Sequence, residues 1–274
     1  MRADTRERGI AIVAALWAAA IMAVIVLSVL QIVRADARVG RGREDVAAMN
    51  SVADAAVNIS ILALLGPQAT QPPVNSVPFN VPFAGYTTRV LIQDEAGKID
   101  LNMASDIVLH QLLIDAGLDT GAATAVTSNI LAWRGTRGDS QNIGGDASSI
   151  PHKSRLQSVE ELQLVPGVTP GLYREIEPLV TVYSQTPWID PVFSSLEILN
   201  VFRSIDSNAE AVWRRREEQR AGVRPADPNP GVALGHAFTI TAEVTGPASA
   251  RVIRTAVIRL TGQAQVPLLV YRWN

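Results

Sequence analysis

The stretch IAIVAALWAAAIMAVIVLSVL, residues 10–30, contains no charged side chain and a single hydroxyl group, that of Ser28. A helix of about 20 apolar residues spans the hydrocarbon core of a bilayer, and a helix satisfies its own backbone hydrogen bonds in lipid. We therefore predict a transmembrane helix over residues 10–33. A cleaved signal peptide is the alternative, but the segment from Leu30 to Arg34 lacks the small residues of a cleavage site.

The residues before this stretch form a short leader. Three arginines and two acidic residues precede Gly9, and the apolar helix begins at Ile10. This arrangement resembles the leader of type IV prepilin-like proteins. In that family a membrane peptidase cleaves after the glycine, here between Gly9 and Ile10, and the new amino group is methylated. The alternative is a plain membrane anchor that keeps residues 1–9.

One position departs from most members of that family. The fifth residue after the cleavage point is usually glutamate, and here it is Ala14. The minor pseudopilin K family of the type II secretion system lacks this glutamate, and the chain resembles that family over nearly its whole length. The run Asp94–Asn102, with the sequence DEAGKIDLN, resembles a characteristic segment of the family.

Composition excludes several classes of site. The chain has 274 residues, a net charge of −2 and no cysteine. Disulfides, thiol catalysis and cysteine-ligated zinc are therefore excluded, and the near-neutral charge gives no reason to expect a nucleic-acid partner. No G-x-S-x-G, Walker A or H-E-x-x-H motif occurs, and the three histidines, at positions 110, 152 and 236, are isolated in the sequence. We expect no enzymatic activity.

Hydrophobic periodicity divides the rest of the chain. Helical spacing continues after the membrane segment and ends at Gly66-Pro67, so residues 34–66 are predicted to extend the same helix into the periplasm. Five prolines between positions 67 and 82 predict an extended linker. Strand-like residues on both sides of the turn at residues 95–97 predict a hairpin. Residues 67–102 are thus interpreted as a linker and the first strands of a pilin-like domain.

Two further segments complete the predicted architecture. Residues 103–222 carry helical stripes and S-x-x-E capping patterns that begin at Ser158, Ser194 and Ser207. Residues 223–274 carry the alternation of antiparallel strands. The resemblance implies that the helical segment is inserted into the pilin-like domain. The expected fold class is α+β: a pilin-like fold with a long N-terminal transmembrane helix, an antiparallel β-sheet and a large inserted α-helical domain.

The loop Gly138–Asp146 is rich in oxygen-bearing side chains. Hard cations such as Ca²⁺ bind six to eight oxygen ligands, and members of the family can bind calcium in the helical domain. Asp139 and Asp146 are the candidate calcium ligands in this loop. An ordinary polar loop is the simpler interpretation, because two carboxylates are few for such a site.

The resemblance implies a function in protein export. It predicts a non-enzymatic minor pseudopilin at the pseudopilus tip that primes pseudopilus assembly for export across the outer membrane. The implied partners are minor pseudopilins I and J, other pseudopilins, the prepilin peptidase and the inner-membrane secretion machinery. The implied location is the bacterial inner membrane, as a single-pass protein with most of the chain in the periplasm. Ala14 fits a subunit that starts the filament and has no earlier subunit to register against.

The alternative function is DNA uptake by a membrane-anchored protein. The segment LVPGVTPG, residues 164–171, resembles a helix-hairpin-helix turn, which binds DNA phosphates through backbone N–H groups. Pro170 removes one of these donors, and basic residues are sparse in this segment, whereas phosphate binding needs clustered Lys and Arg. We therefore expect a structural hairpin and no nucleic-acid binding.

Overall fold

The computed structural model describes residues 4–135, 154–203, 205–221, 231–246 and 250–274, with side chains from Ala15 onward apart from residues 32–39, 41 and 220. The helices are α1 (Asp4–Leu64), α2 (Asp106–Asp115), α3 (Thr120–Trp133), α4 (Pro170–Ile176), α5 (Leu196–Phe202) and α6 (Ser207–Arg220). The strands are β1 (Phe79–Phe83), β2 (Tyr86–Asp94), β3 (Ile99–Asp100), β4 (Val180–Thr181), β5 (Ala237–Thr245), β6 (Arg251–Gln263) and β7 (Val266–Trp273). Short 3₁₀ helices cover Gln68–Thr70, Glu95–Gly97, Val159–Leu164 and Glu177–Leu179.

Five strands form one antiparallel sheet in the order β1-β2-β5-β6-β7. Successive side chains of a strand point to opposite faces, and the buried positions of β5 alternate accordingly. The apolar face packs on the second half of α1, where Val57 and Ile61 lie in one core cluster with Ile240 and Ile258 of the sheet. The predicted antiparallel sheet, including the three C-terminal strands, is confirmed.

Helix α1 is continuous across Gly40 and Gly42 and ends where the sequence indicates. The amide of Leu65 donates to Ile61 O (3.2 Å) just before Gly66-Pro67. Among the described residues, the segment Gly42–Leu64 is long and apolar enough to cross a membrane, but it is the part that covers the sheet. The segment Ala15–Gln31 is a shorter apolar stretch. The predicted transmembrane span over residues 10–33 includes side chains outside the described set and stays a prediction.

The predicted hairpin at residues 86–102 is wrong. Strand β2 pairs with β1 and β5, whereas β3 pairs in parallel with β4 of the helical region. The turn is a 3₁₀ helix capped by Asp94, whose Oδ1 accepts a hydrogen bond from Ala96 N at 2.8 Å. Strand β1 forms inside the segment interpreted as a linker. Its Pro82 is tolerated because β1 is an edge strand, where a missing N–H removes no ladder bond.

Helices α2 to α6 lie between β2 and β5 in the sequence and have their own hydrophobic core. Trp133, Leu109 and Ile130 are among its fully buried side chains, and none of its members comes from the five-stranded sheet. The N-termini of α2, α3 and α5 are each capped by a side-chain oxygen, those of Ser105, Asp119 and Ser195, as the preference for these residue types leads one to expect. The helical region therefore packs around a core separate from that of the sheet.

Candidate functional site

The predicted processing and assembly residues lie near the start of α1. The backbone of Gly9, Ile10 and Ala14 is helical, but the side chains of these residues are outside the described set. The candidate calcium ligands Asp139 and Asp146 also lie outside the described residues. Within the described ranges, no three His, Asp or Glu side chains form a group that could hold a metal ion.

The first half of α1 presents an uncovered apolar surface. Leu16 and Trp17 are 65% and 67% exposed, and the large side chains onward to Leu30 remain exposed as well. Exposed apolar surface of this extent is rare in soluble monomers and indicates contact with lipid or with other subunits. The same helix therefore combines an apolar surface at one end with a sheet-covering face at the other.

The second half of α1 is attached to the sheet by Asp54. The Arg254 guanidinium pairs with this carboxylate, with Nε 2.7 Å from Oδ1, and donates from Nη2 to Oδ2 at 3.2 Å. Trp273 donates from Nε1 to Asp54 Oδ1 at 3.1 Å. The Arg254 ion pair and the hydrogen bonds from Arg254 Nη2 and Trp273 all end on this carboxylate, so one side chain of α1 fixes the helix against both β6 and β7.

A carboxylate–imidazole pair lies where the sheet meets the helical region. Asp94 at the end of β2 is fully buried, and its Oδ2 lies 2.8 Å from Nδ1 of His236 at the start of β5. Burial raises the pKa of Asp94 above its ordinary value, although the hydrogen bonds from His236 and Ala96 oppose this shift. The hydrogen bond with Asp94 raises the pKa of His236. Each partner therefore stabilises the charged form of the other.

The next residue, Glu95, is also buried and paired. Its Oε1 accepts a hydrogen bond from Thr239 Oγ1 at 2.7 Å and lies 2.9 Å from Lys98 Nζ. Buried carboxylates are tolerated when they are paired and hydrogen-bonded. Glu95 thus links the turn at residues 95–97 to β5.

Asp100 is the third buried acid of the run Asp94–Asn102. Its Oδ1 accepts from the backbone amides of Asn102 (2.8 Å) and Met103 (3.2 Å). Its Oδ2 accepts from Gln185 N (2.7 Å) and Ser184 Oγ (3.1 Å). Burial raises the pKa of Asp100 in spite of these four donors. The carboxylate fixes the chain that follows β4, where Gln185 has a left-handed φ of 60°.

Arg216 of α6 fixes the loop at residues 190–194, which precedes α5. Its guanidinium donates to the backbone carbonyls of Pro191 (3.3 Å), Val192 and Ser194. The same loop returns to the sheet, since the amide of Asp190 donates to Ala96 O at 2.7 Å. The loop is therefore bonded to both parts of the fold.

Strands β6 and β7 make further links to the helical region. Arg259 donates to Tyr183 O at 2.6 Å, and Arg272 donates to Glu160 Oε1 at 2.6 Å. The rings of Tyr183 and Tyr271 stack with centroids 5.6 Å apart.

The residues that join the sheet to the helical region were missed at the sequence level. The only signal that could have indicated them was the acidic content of the run Asp94–Asn102.

An open groove of about 1040 Å³ lies between the outer face of the sheet and the helices. Leu91 and Thr241 of the sheet line one side, and Glu197 and Trp213 of the helical region line the other. Acidic and basic side chains both occur around it, so it shows no preference for one sign of charge. The hydrogen bonds and ion pairs described above fix the helical region against the sheet.

The segment 164–171 forms a turn that packs on α3. Gly167 has a φ of +91°, and a Cβ there would lie 2.8 Å from Val126 Cγ2. Asn129 Nδ2 of α3 donates to Pro166 O at 2.9 Å, and Thr169 Oγ1 caps α4 by accepting from Leu172 N. The turn is thus engaged with a neighbouring helix, as expected of a structural hairpin.

Comparison with known proteins supports the resemblance inferred from the sequence. Residues 89–185 match the profile of the type II secretion system protein K family, and the comparison with curated proteins found no match. The chain is similar to GspK in the crystal structure of the GspK–GspI–GspJ complex from the enterotoxigenic Escherichia coli type 2 secretion system, with 16% identity and a TM-score of 0.56. The match covers 85% of this chain and 98% of that chain, and at this identity it shows a shared fold. The profile match at residues 89–185 and this shared fold both point to the protein K family of the type II secretion system, the minor pseudopilins K.

Proposed function

We propose that the chain is a non-enzymatic minor pseudopilin at the tip of the pseudopilus, where it primes pseudopilus assembly for protein export across the outer membrane. The observation that carries this proposal is α1, a single helix with an uncovered apolar first half and a second half that completes the core of an antiparallel sheet. Such a helix suits a subunit that is stored in a membrane and then packs against other subunits through the same apolar surface.

The proposed location is the bacterial inner membrane, with residues 10–33 as a single transmembrane span and most of the chain in the periplasm. The exposed apolar side chains of Ala15–Gln31 support the span. The prepilin peptidase would cut between Gly9 and Ile10, and the inner-membrane secretion machinery would then draw the processed subunit into the filament. An unbroken apolar helix is the form that lipid accepts, because it leaves no backbone group without a partner.

The proposed direct partners are minor pseudopilins I and J, followed by other pseudopilins below them. The similar solved chain was crystallised in a complex with GspI and GspJ. Residues 103–222 would act as an inserted helical domain that occupies the space above the sheet. The contacts that fix this region to the sheet, such as those of Arg259 and Arg272, support a rigid block against further stacking.

Ala14 agrees with a position at the start of the filament. An acidic group at the centre of a membrane helix costs about 2.5–3.5 kcal/mol on insertion scales. Body subunits accept this cost because the carboxylate can pair with the N-terminal amino group of a neighbour. A first subunit has no earlier neighbour, so an apolar residue suffices there.

Co-purification tests the proposal. The full chain is co-expressed with the prepilin peptidase and with pseudopilins I and J, extracted in mild detergent and purified by a tag on one subunit. We expect a complex of the three pseudopilins, and we expect immunogold label on this subunit to mark one end of isolated pseudopili. A chain that purifies alone and binds duplex DNA with a steep salt dependence would instead support the DNA-uptake alternative.

A further inference from the structure

Strand β7 forms one edge of the five-stranded sheet. In the part of the chain that the structure describes, β6 is its single strand neighbour. The far side of an edge strand carries backbone N–H and C=O groups without ladder partners, which can template pairing with another chain. The chemical character of this edge therefore decides what it can bind.

The hydrogen bonds of β6 show which β7 groups point outward. The amide of Leu260 donates to His236 O (3.1 Å), and its carbonyl accepts from Gly235 N (2.6 Å), so both groups point toward β5. Leu268 lies opposite Leu260. Because the backbone groups of Leu260 point toward β5, Leu260 and Leu268 form a non-hydrogen-bonded pair between β6 and β7. The N–H and C=O of Leu268 therefore point away from β6. By alternation, those of Val270 do the same.

The hydrogen bonds at the C-terminal end of β7 also show which of its backbone groups point away from β6. Thr255 and Asn274 exchange two backbone hydrogen bonds, at 3.0 and 2.9 Å, so Asn274 faces β6 and the preceding Trp273 faces outward. The register shifts between Val257 and Ile258, which leaves Tyr271 as an extra residue in β7. The free edge thus presents the backbone groups of Leu268, Val270 and Trp273.

The two edges of the sheet differ in how they are protected. Strand β1 has five residues and contains Pro82 in its second half. Strand β7 has eight residues, with Pro267 placed before the three outward-facing positions. Natural edges are often blunted by lysine or other charges. The only charge in β7 is Arg272, and that side chain is bound to Glu160.

The side chains along β7 are apolar and accessible. Val270 is 52% exposed and Leu269 is 42% exposed, although they lie on opposite faces of the strand. An added strand would therefore gain apolar contacts on both faces as well as backbone hydrogen bonds. Main-chain bonds supply affinity in such strand addition, and alternate side chains supply specificity.

We propose that β7 is a docking strand to which an extended, uncharged and apolar strand of a neighbouring pseudopilin adds, bonding to the backbone of Leu268, Val270 and Trp273. The backbone groups that point outward from β7 can bond only to an extended chain. The uncharged, apolar side chains along β7 favour a partner strand whose side chains are also uncharged and apolar. The choice of a neighbouring pseudopilin rests on the proposed function. Pairing of β7 with a second copy of this chain is the competing outcome.

A proline substitution tests the backbone contact. Val270→Pro removes an N–H that points away from β6, and edge strands tolerate such a proline. Val270→Thr keeps both the N–H and the β-branched shape, so it is the matched control. With the full chain in detergent and the I–J pair as the probe, we expect Val270→Pro to weaken binding about tenfold or more, as the loss of one hydrogen bond and of strand contacts implies. We expect Val270→Thr to bind like the wild type.

Hydrogen exchange gives a readout that does not depend on the variants. The amides of Leu268 and Val270 should gain protection when the I–J pair is added, whereas the amide of Leu269, which faces β6, should not change. Unchanged exchange, or wild-type binding by Val270→Pro, would overturn the docking strand and leave the proposed function standing. Protection that grows with the concentration of this chain alone would assign the edge to a second copy. Absence of any wild-type complex would overturn the proposed function and, with it, this inference.

Discussion

His236 Nδ1 lies 2.8 Å from the fully buried Oδ2 of Asp94, across 142 positions of the sequence. The pair joins the end of β2 to the start of β5, beside the point where the chain leaves the sheet for the helical region. The ring of Phe193 contacts the His236 ring edge-on, with centroids 6.0 Å apart. Asp190 favours the protonated ring and Arg259 opposes it. A titratable group therefore lies at the junction of the two parts of the fold.

The first prediction concerns pH. Because Asp94 raises the pKa of His236 in the folded chain, the protonated ring stabilises folding. This contribution is fully present below the ordinary histidine pKa of about 6.5 and is lost as the pH rises through the folded-state pKa. We expect His236→Asn to reduce the free energy of unfolding more at about pH 6 than at about pH 8. Urea denaturation of the full chain in detergent measures this difference.

The control for that experiment is Asp94→Asn, which removes the partner whose hydrogen bond raises the pKa of His236. In that background, His236→Asn should no longer cost more at about pH 6 than at about pH 8. An equal loss at both pH values for His236→Asn would contradict a stabilising contribution from the protonated ring.

The second prediction concerns Asp100. Replacement by Asn keeps the shape but places an amide N–H₂ group where two donors, Gln185 N and Ser184 Oγ, now find an acceptor. Leaving buried donors without an acceptor costs about 1–3 kcal/mol, and more where a charge was involved. We therefore expect Asp100→Asn to lower the free energy of unfolding by about 3 kcal/mol.

The matched control is Asp115→Asn at the end of α2, where the side chain is solvent-accessible and its Oδ1 accepts from Gln111. Surface changes of this kind stay within about 0.5 kcal/mol. Similar losses for the two variants would contradict the structural role assigned to Asp100.

The third prediction concerns Gly97. A Cβ at this position would lie 2.4 Å from the backbone oxygen of Phe193, and a backbone atom cannot move aside as a flexible side chain can. We expect Gly97→Ala to destabilise the folded chain by about 1–3 kcal/mol, the usual cost of overpacking. Thermal unfolding followed by circular dichroism measures the loss.

Gly42→Ala is the control for this substitution. It lies in α1 with open space around the added methyl group, and alanine favours a helix over glycine by about 1 kcal/mol. The two Gly-to-Ala changes should therefore shift the melting temperature in opposite directions. Unchanged stability in Gly97→Ala would contradict the close approach of Phe193.

The fourth prediction concerns processing. Replacement of Gly9 by Leu should leave the leader attached, because the peptidase of prepilin-like proteins requires a small residue before the cut. Intact-mass measurement of the purified chain distinguishes the two products, and secretion should fail in cells that carry only the variant. A wild-type chain that still begins at Met1 in cells with active peptidase would contradict the predicted leader.

The fifth prediction concerns the register of assembly. Ala14→Glu should leave secretion largely intact if this subunit starts the filament, because no earlier subunit has to be registered against it. Deletion of the whole chain should impair pseudopilus initiation. Secretion assays and crosslinking in isolated pseudopili provide the measurement. Regular spacing of this subunit along the filament shaft would contradict the tip position.

The sequence predicted helix ends and strands whose signals lie within a few residues of the element itself. The end of α1 follows from Gly66-Pro67, and the alternation from Phe238 to Val244 predicted β5. The cap of α5 was expected at Ser194 and lies at Ser195, and the cap of α6 was expected at Ser207 and lies at Asp206. Two adjacent residues can each cap the same helix, so the sequence predicted the starts of α5 and α6 with an error of one residue.

The hairpin error and the missed junction have a common physical cause. The turn residues 95–97 suit a hairpin, but the partner of Ile99 is Val180, far along the chain. No local pattern encodes that pairing, nor the contact between Asp94 and His236. The candidate calcium loop and the residues around Gly9 lie outside the described side chains, so Asp139, Asp146 and Ala14 stay predictions.

The continuity of α1 has a mechanical consequence. Because the helix is unbroken between Asp4 and Leu64, tension applied to its first half is carried along the helix axis to the sheet. That load acts on the attachment of Asp54 to Arg254 and Trp273, as well as on the apolar contacts beneath the helix. These bonds lie side by side across one helix–sheet interface and share an axial pull, so they yield together in shear instead of opening one after another.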